Sequence, residues 1–531
     1  MYGVIRQLAP VYRQVVQMQT RTVILGLLFS VVSHASVFGQ AFNSQTQFVE
    51  SPSFATADPS RLATNSEVSD LRERIIHLEQ TLYGSGPVGK FRPQETPSHG
   101  SFAIDSSDDR ESGSKWEGRS DDSSLQPLPS WVEYVRVGYD SGFVIASEAD
   151  LDLQASDTPF HLKLNGWGQI RHTVLDSDGA NADLNQFQLK RGRLIFSGSA
   201  FSSDFDYFLQ LDGRSSSGDN LRLLDYFLSY DLGHHVCGFE KGVFGFRTGK
   251  YKMPFTMARY LSGREFEFSD RSMASMFFDV NRSLAWGLYG RAYSSGRPLH
   301  WEVALFNGLV SGGAETGSSG TLDNNFAYSA RIFTFPTGDW GAGGLADFDW
   351  HDALATRIGA GFANSTIDRV GTTEFSSLRV VDSGLQLGTL LPAAVDEYDA
   401  YIYSIDASCK LHGWSATMEY YIRDIQSFQG AAIPSLFDHG FWLQFGKFIV
   451  PEKLQLLARW SRVVGNSGTL GANDQSADEI AGGFVWYFRD QQAKFTLDVT
   501  HLDGAPISSS ALDIAPGDSG WLFRSQIQFA F

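Results

Sequence analysis

The sequence predicts an all-β protein, a 16-stranded antiparallel transmembrane β-barrel, and three observations support this fold class. The last eleven residues, 521–531, alternate between mostly apolar and mostly polar side chains, as a strand does when its two faces meet different solvents. Strand-like segments separated by turn residues recur from 131 to the end of the chain. The connections between them are alternately short and long, which a soluble β-sandwich gives no reason to expect.

The composition suits many strands with one apolar and one polar face, and it excludes several other classes of protein. The 531 residues include 53 Gly, 14% are aromatic, and the formal net charge is -18. Beyond the N-terminal region no run of about 18 apolar residues exists, which excludes helical membrane spans. The acidic balance argues against nucleic acid as a partner. Cys237 and Cys409 are too few for a disulfide framework and form no metal-binding spacing, so no cofactor or metal is predicted.

Residues 1–41 are typical of a secretory signal peptide. Three arginines precede the apolar run 23–29, which is too short to span a bilayer, and small residues suitable for cleavage follow near Ala35 or Ala41. An uncleaved anchor is the alternative, and the short apolar run disfavours it. The sequence therefore predicts export, with the N-terminal segment in the periplasm.

A short coiled-coil helix is predicted over 62–84. A capping-box spacing begins at Thr64, and Gly84 stands where a C-terminal cap belongs. Between them apolar residues step alternately by three and four positions, which is the seam of a coiled coil: Val68, Leu71, Ile75, Leu78 and Leu82. We expect a homotrimer, in which three copies held close together stabilise so short a seam. The alternative is an amphipathic helix that rests on the protein's own surface.

Residues 85–130 are predicted to be a disordered linker, and residues 131–531 the barrel. The linker is rich in Pro, Ser and Asp and has no apolar periodicity. The barrel region begins with one preliminary strand or hairpin arm near 134–148. Sixteen strands follow, near 159–174, 186–198, 205–213, 222–231, 242–250, 283–293, 299–308, 325–334, 353–364, 398–409, 413–424, 439–447, 454–463, 479–488, 493–502 and 520–531.

Two predicted connections break the alternation of lengths. With both barrel ends of the chain in the periplasm, every second connection should be a short periplasmic turn. The connections 232–241 and 335–352 are longer than such a turn, which leaves the register there open. The final strand fits the pattern best. It ends on Phe531 with further aromatic residues on the same face, and this resembles the C-terminal signal of bacterial outer-membrane β-barrels. A soluble edge strand is the alternative.

Sixteen strands enclose a water-filled channel, so charges inside the barrel should set its selectivity. The third extracellular loop, 251–282, is among the longest connections, and a loop that enters a narrow bore acts strongly on passing ions. It carries the basic residues Lys252, Arg259, Arg264, Arg271 and Arg282 beside the acidic residues Glu265, Glu267, Asp270 and Asp279. The alternative is that these charges pair with one another and only fix the loop.

Strand alternation places further charges inside. Lys163 and Arg171 face inward on the first barrel strand. On the second, the polar face changes parity, and a bulge near Gly192 would keep Lys190, Arg191 and Arg193 near the lumen. The alternative is that one of the three lies at a strand end and snorkels to the membrane interface. Other strands direct both signs inward: Arg291, Arg331, Arg423, Arg459 and Lys494, with Asp206, Asp212, Asp225, Glu302, Glu419 and Asp498. The lining is mixed, with a basic emphasis in the first strands and the third loop.

Residues 134–531 resemble the phosphate-selective porins O and P. The segment FQLKRGRLIFSG, 187–198, looks like the basic strand of that family, and FRTGKYKMPFTMARYLSGREFEFSDR, 246–271, is similar to its third loop. Asp270-Arg271 stands where the family commonly has Glu-Arg. The resemblance implies a trimeric outer-membrane channel for small anions, phosphate or polyphosphate among them. By motif position it implies solute contacts at Lys250, Lys252, Arg259, Arg264 and Arg271.

Two alternatives to a phosphate channel remain, and a third is disfavoured. The chain could be a general porin without phosphate preference. It could also be a barrel that anchors a coiled coil, which binds a periplasmic or cell-wall partner. A barrel enzyme needs a nucleophile beside a base on the lipid-exposed face. His172 and His501 are predicted outward but sit in no nucleophile motif, so no enzymatic activity is predicted.

Overall fold

The computed structural model describes residues 135–147, 160–178, 181–213, 220–294, 296–310, 323–341, 344–369, 374–467, 470 and 475–531. The chain divides into two compact units, 1–119 and 120–531, and every described residue belongs to the second. The predicted signal peptide, coiled-coil helix and linker lie outside the described residues.

Eighteen strands form one antiparallel sheet. Their bounds are β1 Val135–Tyr139, β2 Phe143–Ser147, β3 His161–Ser177, β4 Leu184–Ala200, β5 Ser202–Gly213, β6 Leu221–Tyr230, β7 Phe244–Lys252, β8 Arg282–Ser294, β9 Arg297–Asn307, β10 Phe326–Thr334, β11 Ala355–Asp368, β12 Glu397–Leu411, β13 Trp414–Gln429, β14 Leu436–Val450, β15 Leu454–Gly465, β16 Gln475–Arg489, β17 Ala493–Asp503 and β18 Gly520–Ala530. Four short helices occur in the described connections: α1 Leu232–Cys237, α2 Met257–Tyr260, α3 Met273–Phe278 and α4 Leu387–Leu390.

The sheet closes into a barrel of 16 strands, which confirms the predicted fold class. Each strand from β3 to β18 pairs with the next, and β18 pairs with β3. At this closure the backbone N–H of Phe531 donates to the Gly166 carbonyl at 2.9 Å. The rings of Phe529 and Phe531 lie against Gly168 and Gly166 on the outer face. The preliminary segment is a hairpin, β1 and β2, whose second strand pairs with the start of β3.

The alternation that predicted the strands separates an apolar exterior from a polar interior. On β15, Leu456 and Trp460 point outward and are 48% and 42% exposed, whereas Arg459 and Ser461 are 4% and 0% exposed. This is the reverse of a soluble barrel and suits a wall between lipid and a polar lumen. Among the described residues, no helix is long and apolar enough to cross a bilayer.

The connections alternate as predicted. The turn between β12 and β13 is only His412 and Gly413, with φ 49° and 73°, the backbone that a tight hairpin requires. The two connections that are too long for such turns do not disturb the register, because β6 pairs with β7, and β10 with β11, without a shift. The first holds α1, whose N-terminus is capped by Asp231 and which ends at Gly238 with φ 67°. The second, 335–354, enters the barrel.

Candidate functional site

The connection after β7, residues 253–281, lies inside the barrel and is here termed the inner loop. Near its start, the carbonyl oxygen of Phe255 accepts a hydrogen bond from Arg331 Nη1 on β10 at 2.8 Å. Gly361 on β11 permits this close approach, because a Cβ atom there would clash with the same oxygen. The inner loop then forms α2 and α3 and returns to β8.

Carboxylates of the barrel wall hold the N-terminal amides of both helices. Glu419 on β13 accepts from the N–H groups of Met257 and Ala258 at 2.7 and 3.1 Å. Glu479 on β16 accepts from the N–H of Met273 at 2.5 Å. The first amides of a helix have no partner within it and carry partial positive charge, so a carboxylate stabilises them. These two acids therefore position the loop against the far wall.

Asp270 joins the inner loop to three strands. Its fully buried carboxylate lies 3.1 Å from Arg171 Nη2 on β3 and 2.7 Å from Arg191 Nη2 on β4. Arg459 on β15 donates to the Asp270 carbonyl oxygen at 2.9 Å. Burial alone would raise the pKa of Asp270, but the guanidinium groups of Arg191 and Arg171 outweigh it and hold that pKa well below its usual value. Asp270 is therefore ionised throughout the physiological pH range.

A second connection reaches the same arginine. Asp513, in the connection 504–519 between β17 and β18, lies 3.3 Å from Arg171 Nη1 and accepts a hydrogen bond from Thr173 at 2.8 Å. It also pairs with Lys190 on β4. Arg171 thus bridges carboxylates from two different connections, and this links the position of 504–519 to that of the inner loop.

Strand β4 carries the bulge that its sequence predicts near Gly192. Its register against β3 shifts at Lys190, so Lys190 and Arg191 both face the interior and pair with carboxylates there. Arg193 also faces inward and lies 3.1 Å from the carboxylate of Asp212. The three basic residues of this strand are therefore inside, and each is already paired.

Most of the predicted solute-binding residues are paired with acidic side chains. Besides Arg171, Arg191 and Arg193, these are Arg259 with Asp279, Arg282 with Asp225 at 2.7 Å, and Lys163 with Asp140 at 3.2 Å. Their partners largely neutralise the positive charge that would act on a passing ion. Arg259 with Asp279 is the pairing within the loop that the sequence left as an alternative; the other five residues pair between strands or between a strand and a connection.

Two further predicted solute-binding residues, Lys252 and Arg271, are held by backbone carbonyl oxygens rather than by acidic side chains. Lys252 Nζ and Arg271 Nη2 lie 3.1 and 3.2 Å from the same oxygen, the carbonyl of Leu261. Within the described ranges, neither side chain has a carboxylate at salt-bridge distance. Two positive charges thus meet at a neutral group. Of the last two predicted residues, Arg264 is half-buried in the inner loop and Lys250 is buried on β7.

The connection 335–354, here termed the inner turn, enters the barrel from the opposite end. Residues 335–341 and 344–354 of it are described. Its buried Asp347 accepts from the N–H of Gly413 at 2.7 Å and pairs with His351. Leu345 packs in the apolar cluster that α2 and α3 form with the wall. The inner turn and the inner loop therefore meet within the barrel, a contact that the sequence does not predict.

The interior is packed on one side and more open on the other. On β13 and β17 the inward side chains of Glu419 and Asp498 are 0% exposed. On β5 to β9 some inward side chains, such as Asp212 and Ser229, are buried, but others are partly exposed. The following partly exposed residues are termed the open wall: Phe208, Phe227, Arg247, Tyr289 and Glu302. The Arg247 guanidinium lies 5.1 and 5.0 Å from the ring centroids of Phe227 and Tyr289, and 3.6 Å from the Glu302 carboxylate. The open wall is therefore the more exposed side of the interior.

Neither cysteine is part of a site. Cys237 and Cys409 are both free thiols, the first exposed and the second half-buried. In the part of the chain that the structure describes, no group of three His, Cys, Asp or Glu side chains is placed to hold a metal ion.

No family model matches the chain, and no curated protein is similar to it in sequence. Solved structures are similar in fold. The anion-selective porin from Comamonas acidovorans is 10% identical at a TM-score of 0.46, over 70% of this chain and 100% of that one. OprB of Pseudomonas putida is 10% identical at a TM-score of 0.44, over 70% of this chain and 94% of that one. OmpF of Salmonella typhi is 12% identical at a TM-score of 0.42, over 70% of this chain and 98% of that one.

Proposed function

We propose that this chain is an outer-membrane porin through which small hydrophilic solutes diffuse passively, with the inner loop as its constriction. The observation that carries the proposal is the division of the closed 16-stranded barrel, in which the inner loop packs against β13 to β17 while the open wall remains partly exposed. A barrel of this strand number encloses a wide aqueous lumen, so a loop across it narrows the passage. The apolar exterior and the predicted signal peptide suit the outer membrane.

We further propose a bias toward anions. Lys252 and Arg271 converge on one carbonyl oxygen with no carboxylate at salt-bridge distance among the described residues. In a narrow bore of low dielectric constant, two basic side chains without a direct ion-pair partner attract anions. Phosphate or polyphosphate is the solute that the family resemblance implies. The second candidate is a general porin, which the six neutralised basic residues favour.

The zero-current potential of the full chain in planar bilayers under a KCl gradient tests the bias. We expect chloride to be preferred over potassium, and phosphate added to one side to block the chloride current. Replacing both Lys252 and Arg271 with Gln should reduce the preference, whereas Lys163→Gln, which removes a charge already paired with the exposed Asp140, should leave it unchanged. Cation preference in the unaltered protein would contradict the proposal. Chloride preference without phosphate block would assign a general anion porin.

We propose that the protein is a homotrimer stabilised by the helix predicted over 62–84. Three barrels side by side would hold three short helices at high effective concentration. Removing residues 62–84 should therefore weaken the trimer in detergent, measured by light scattering. An unchanged oligomer would remove this role from the helix. If correctly inserted protein gave no solute flux in liposomes, the barrel would instead serve as an anchor for a periplasmic or cell-wall partner of the coiled coil.

A further inference from the structure

The inner loop and the inner turn border a half-open cavity against β10 and β11. Its volume is about 200 Å³. The inner loop contributes Tyr260 and Glu265, the inner turn contributes Trp340, and the barrel wall contributes Phe333 and Arg357. Neither Lys252 nor Arg271 lines this cavity, although Leu261, whose carbonyl oxygen holds both, does.

Arg357 in this cavity is a largely buried cation that stacks on the Phe333 ring but has no ion pair or hydrogen bond among the described residues. Arg357 is only 8% exposed. Within the described part of the chain, its guanidinium has neither a carboxylate at salt-bridge distance nor a hydrogen-bond acceptor. Its neighbour Arg331 shows what is missing, because that guanidinium lies 2.6 Å from Asp406 and donates to the Phe255 carbonyl at 2.8 Å. A charge removed from bulk water without a partner is costly. A ligand that supplies acceptor oxygens would offset this cost.

The rest of the cavity wall is aromatic. The Arg357 guanidinium lies 4.8 Å from the ring centroid of Phe333, and Phe335 lies edge-on to that ring at 5.9 Å. Trp340 continues the surface at 6.3 Å from Phe335 and is held in place by Lys410, whose ammonium lies 4.4 Å from the indole. Aromatic faces of this kind bind flat apolar groups. Ligand sites typically combine such a surface with a few convergent polar groups.

The volume of the cavity and the charge of its lining restrict the class of ligand further. An apolar cavity of about 150 Å³ holds one benzene molecule, so about 200 Å³ accommodates one ring with a small substituent. Glu265 also lines the cavity, and its carboxylate accepts a hydrogen bond from the N–H of Ser262 at 3.3 Å. A second negative charge on the ligand would meet this carboxylate. The cavity therefore favours a monoanion over a dianion such as phosphate.

We propose that this cavity binds a small organic carboxylate with a flat apolar body, which places its carboxylate on Arg357 and its ring against Phe333, Phe335 and Trp340. The site goes beyond the proposed diffusion of inorganic anions and does not require that the barrel conduct. It would give the protein a preference among organic solutes that the positive pair at Lys252 and Arg271 does not provide.

Isothermal titration calorimetry of the folded full chain in detergent tests the site, with benzoate as the probe. We expect benzoate to bind, and benzamide, which has the same shape without the charge, to bind at least about tenfold more weakly, since it cannot form the hydrogen bond between two charged groups. Arg357→Gln should weaken benzoate binding at least about tenfold for the same reason. Arg489→Gln, an exposed arginine at the end of β16, is the matched control and should not change it.

Three results would overturn the proposal: no benzoate binding by the unaltered protein, equal binding of benzamide, or unchanged benzoate affinity in the Arg357→Gln variant. Far-UV circular dichroism of each variant shows that the barrel has folded. Because binding is measured without a membrane potential or flux, a failure of this site is distinguishable from a failure of channel activity.

Discussion

Replacing Asp270 with asparagine should destabilise the folded barrel by about 3–5 kcal/mol, because it removes one partner of a buried charge cluster. Arg191 would lose the carboxylate that lies 2.7 Å away, and Arg171 would keep one of its two carboxylate partners, Asp513. The cost arises from guanidinium groups that stay buried without compensation rather than from the lost attraction itself. Equilibrium unfolding in guanidinium chloride, with the protein refolded into lipid vesicles, measures the change.

Asp140→Asn is the matched control for this experiment. It removes the same kind of side chain from a pair with Lys163, but Asp140 is 82% exposed in its side chain and the lysine 24%. Exposed ion pairs contribute at most about 1 kcal/mol, so this variant should unfold almost as the parent does. If the two variants lost equal stability, Asp270 would not be the residue that fixes the inner loop.

Removal of the inner loop should have the largest effect on conduction. Thr256 Oγ1 and Asp279 Oδ1 lie 3.4 Å apart, so a short Gly-Ser linker can replace residues 257–278 without straining the ends. Wall charges that now face the loop, such as Glu419 and Glu479, would become hydrated in the widened lumen and would not remain buried. The strand ladder itself is unaltered. We therefore expect a folded barrel with a severalfold higher conductance.

A point substitution also tests whether the inner loop limits the conductance, without shortening the chain. Gly361→Ala would place a Cβ atom against the Phe255 carbonyl and displace the start of the inner loop, an overpacking that typically costs about 1–3 kcal/mol. Its control is Gly482→Ala on β16, where the nearest atom to an added Cβ is the Leu457 carbonyl oxygen at an ordinary 3.8 Å. Only the first variant should raise the conductance.

The strands could be predicted because a membrane barrel imposes two different solvents on each of them. All 16 barrel strands lie where period-two alternation placed them, and the C-terminal strand, Gly520–Ala530, shows the pattern most clearly. The bulge at Lys190 could be inferred because one extra residue in a strand is what shifts its polar face from even to odd positions. Local patterns of this kind depend only on neighbouring residues.

The charge pairs could not be predicted, because they depend on which strands the closed barrel brings together. Arg171 and Asp513 are 342 positions apart, and Arg191 and Asp270 are 79 positions apart. Nothing in the local sequence of Arg171 distinguishes a neutralised arginine from one that faces solute. The pairing depends on the path of the inner loop across the lumen, which hydrophobic periodicity does not encode.

The inner turn does carry a signal in its sequence. It is too long for a periplasmic turn, and it contains Trp340, Leu345 and Phe348, which a solvated turn would not need. These apolar side chains indicate a segment that packs against something. Arg357 carries no comparable signal, because its lack of a partner follows from the cavity between two segments distant in sequence.

The single-channel conductance of the full chain and of the variant lacking residues 257–278, measured in the same KCl solution, tests the central claim most directly. The claim is that the inner loop sets the width of a solute path along the open wall. The prediction is a severalfold rise in conductance on removal of the loop. Equal conductance of the two proteins would contradict it.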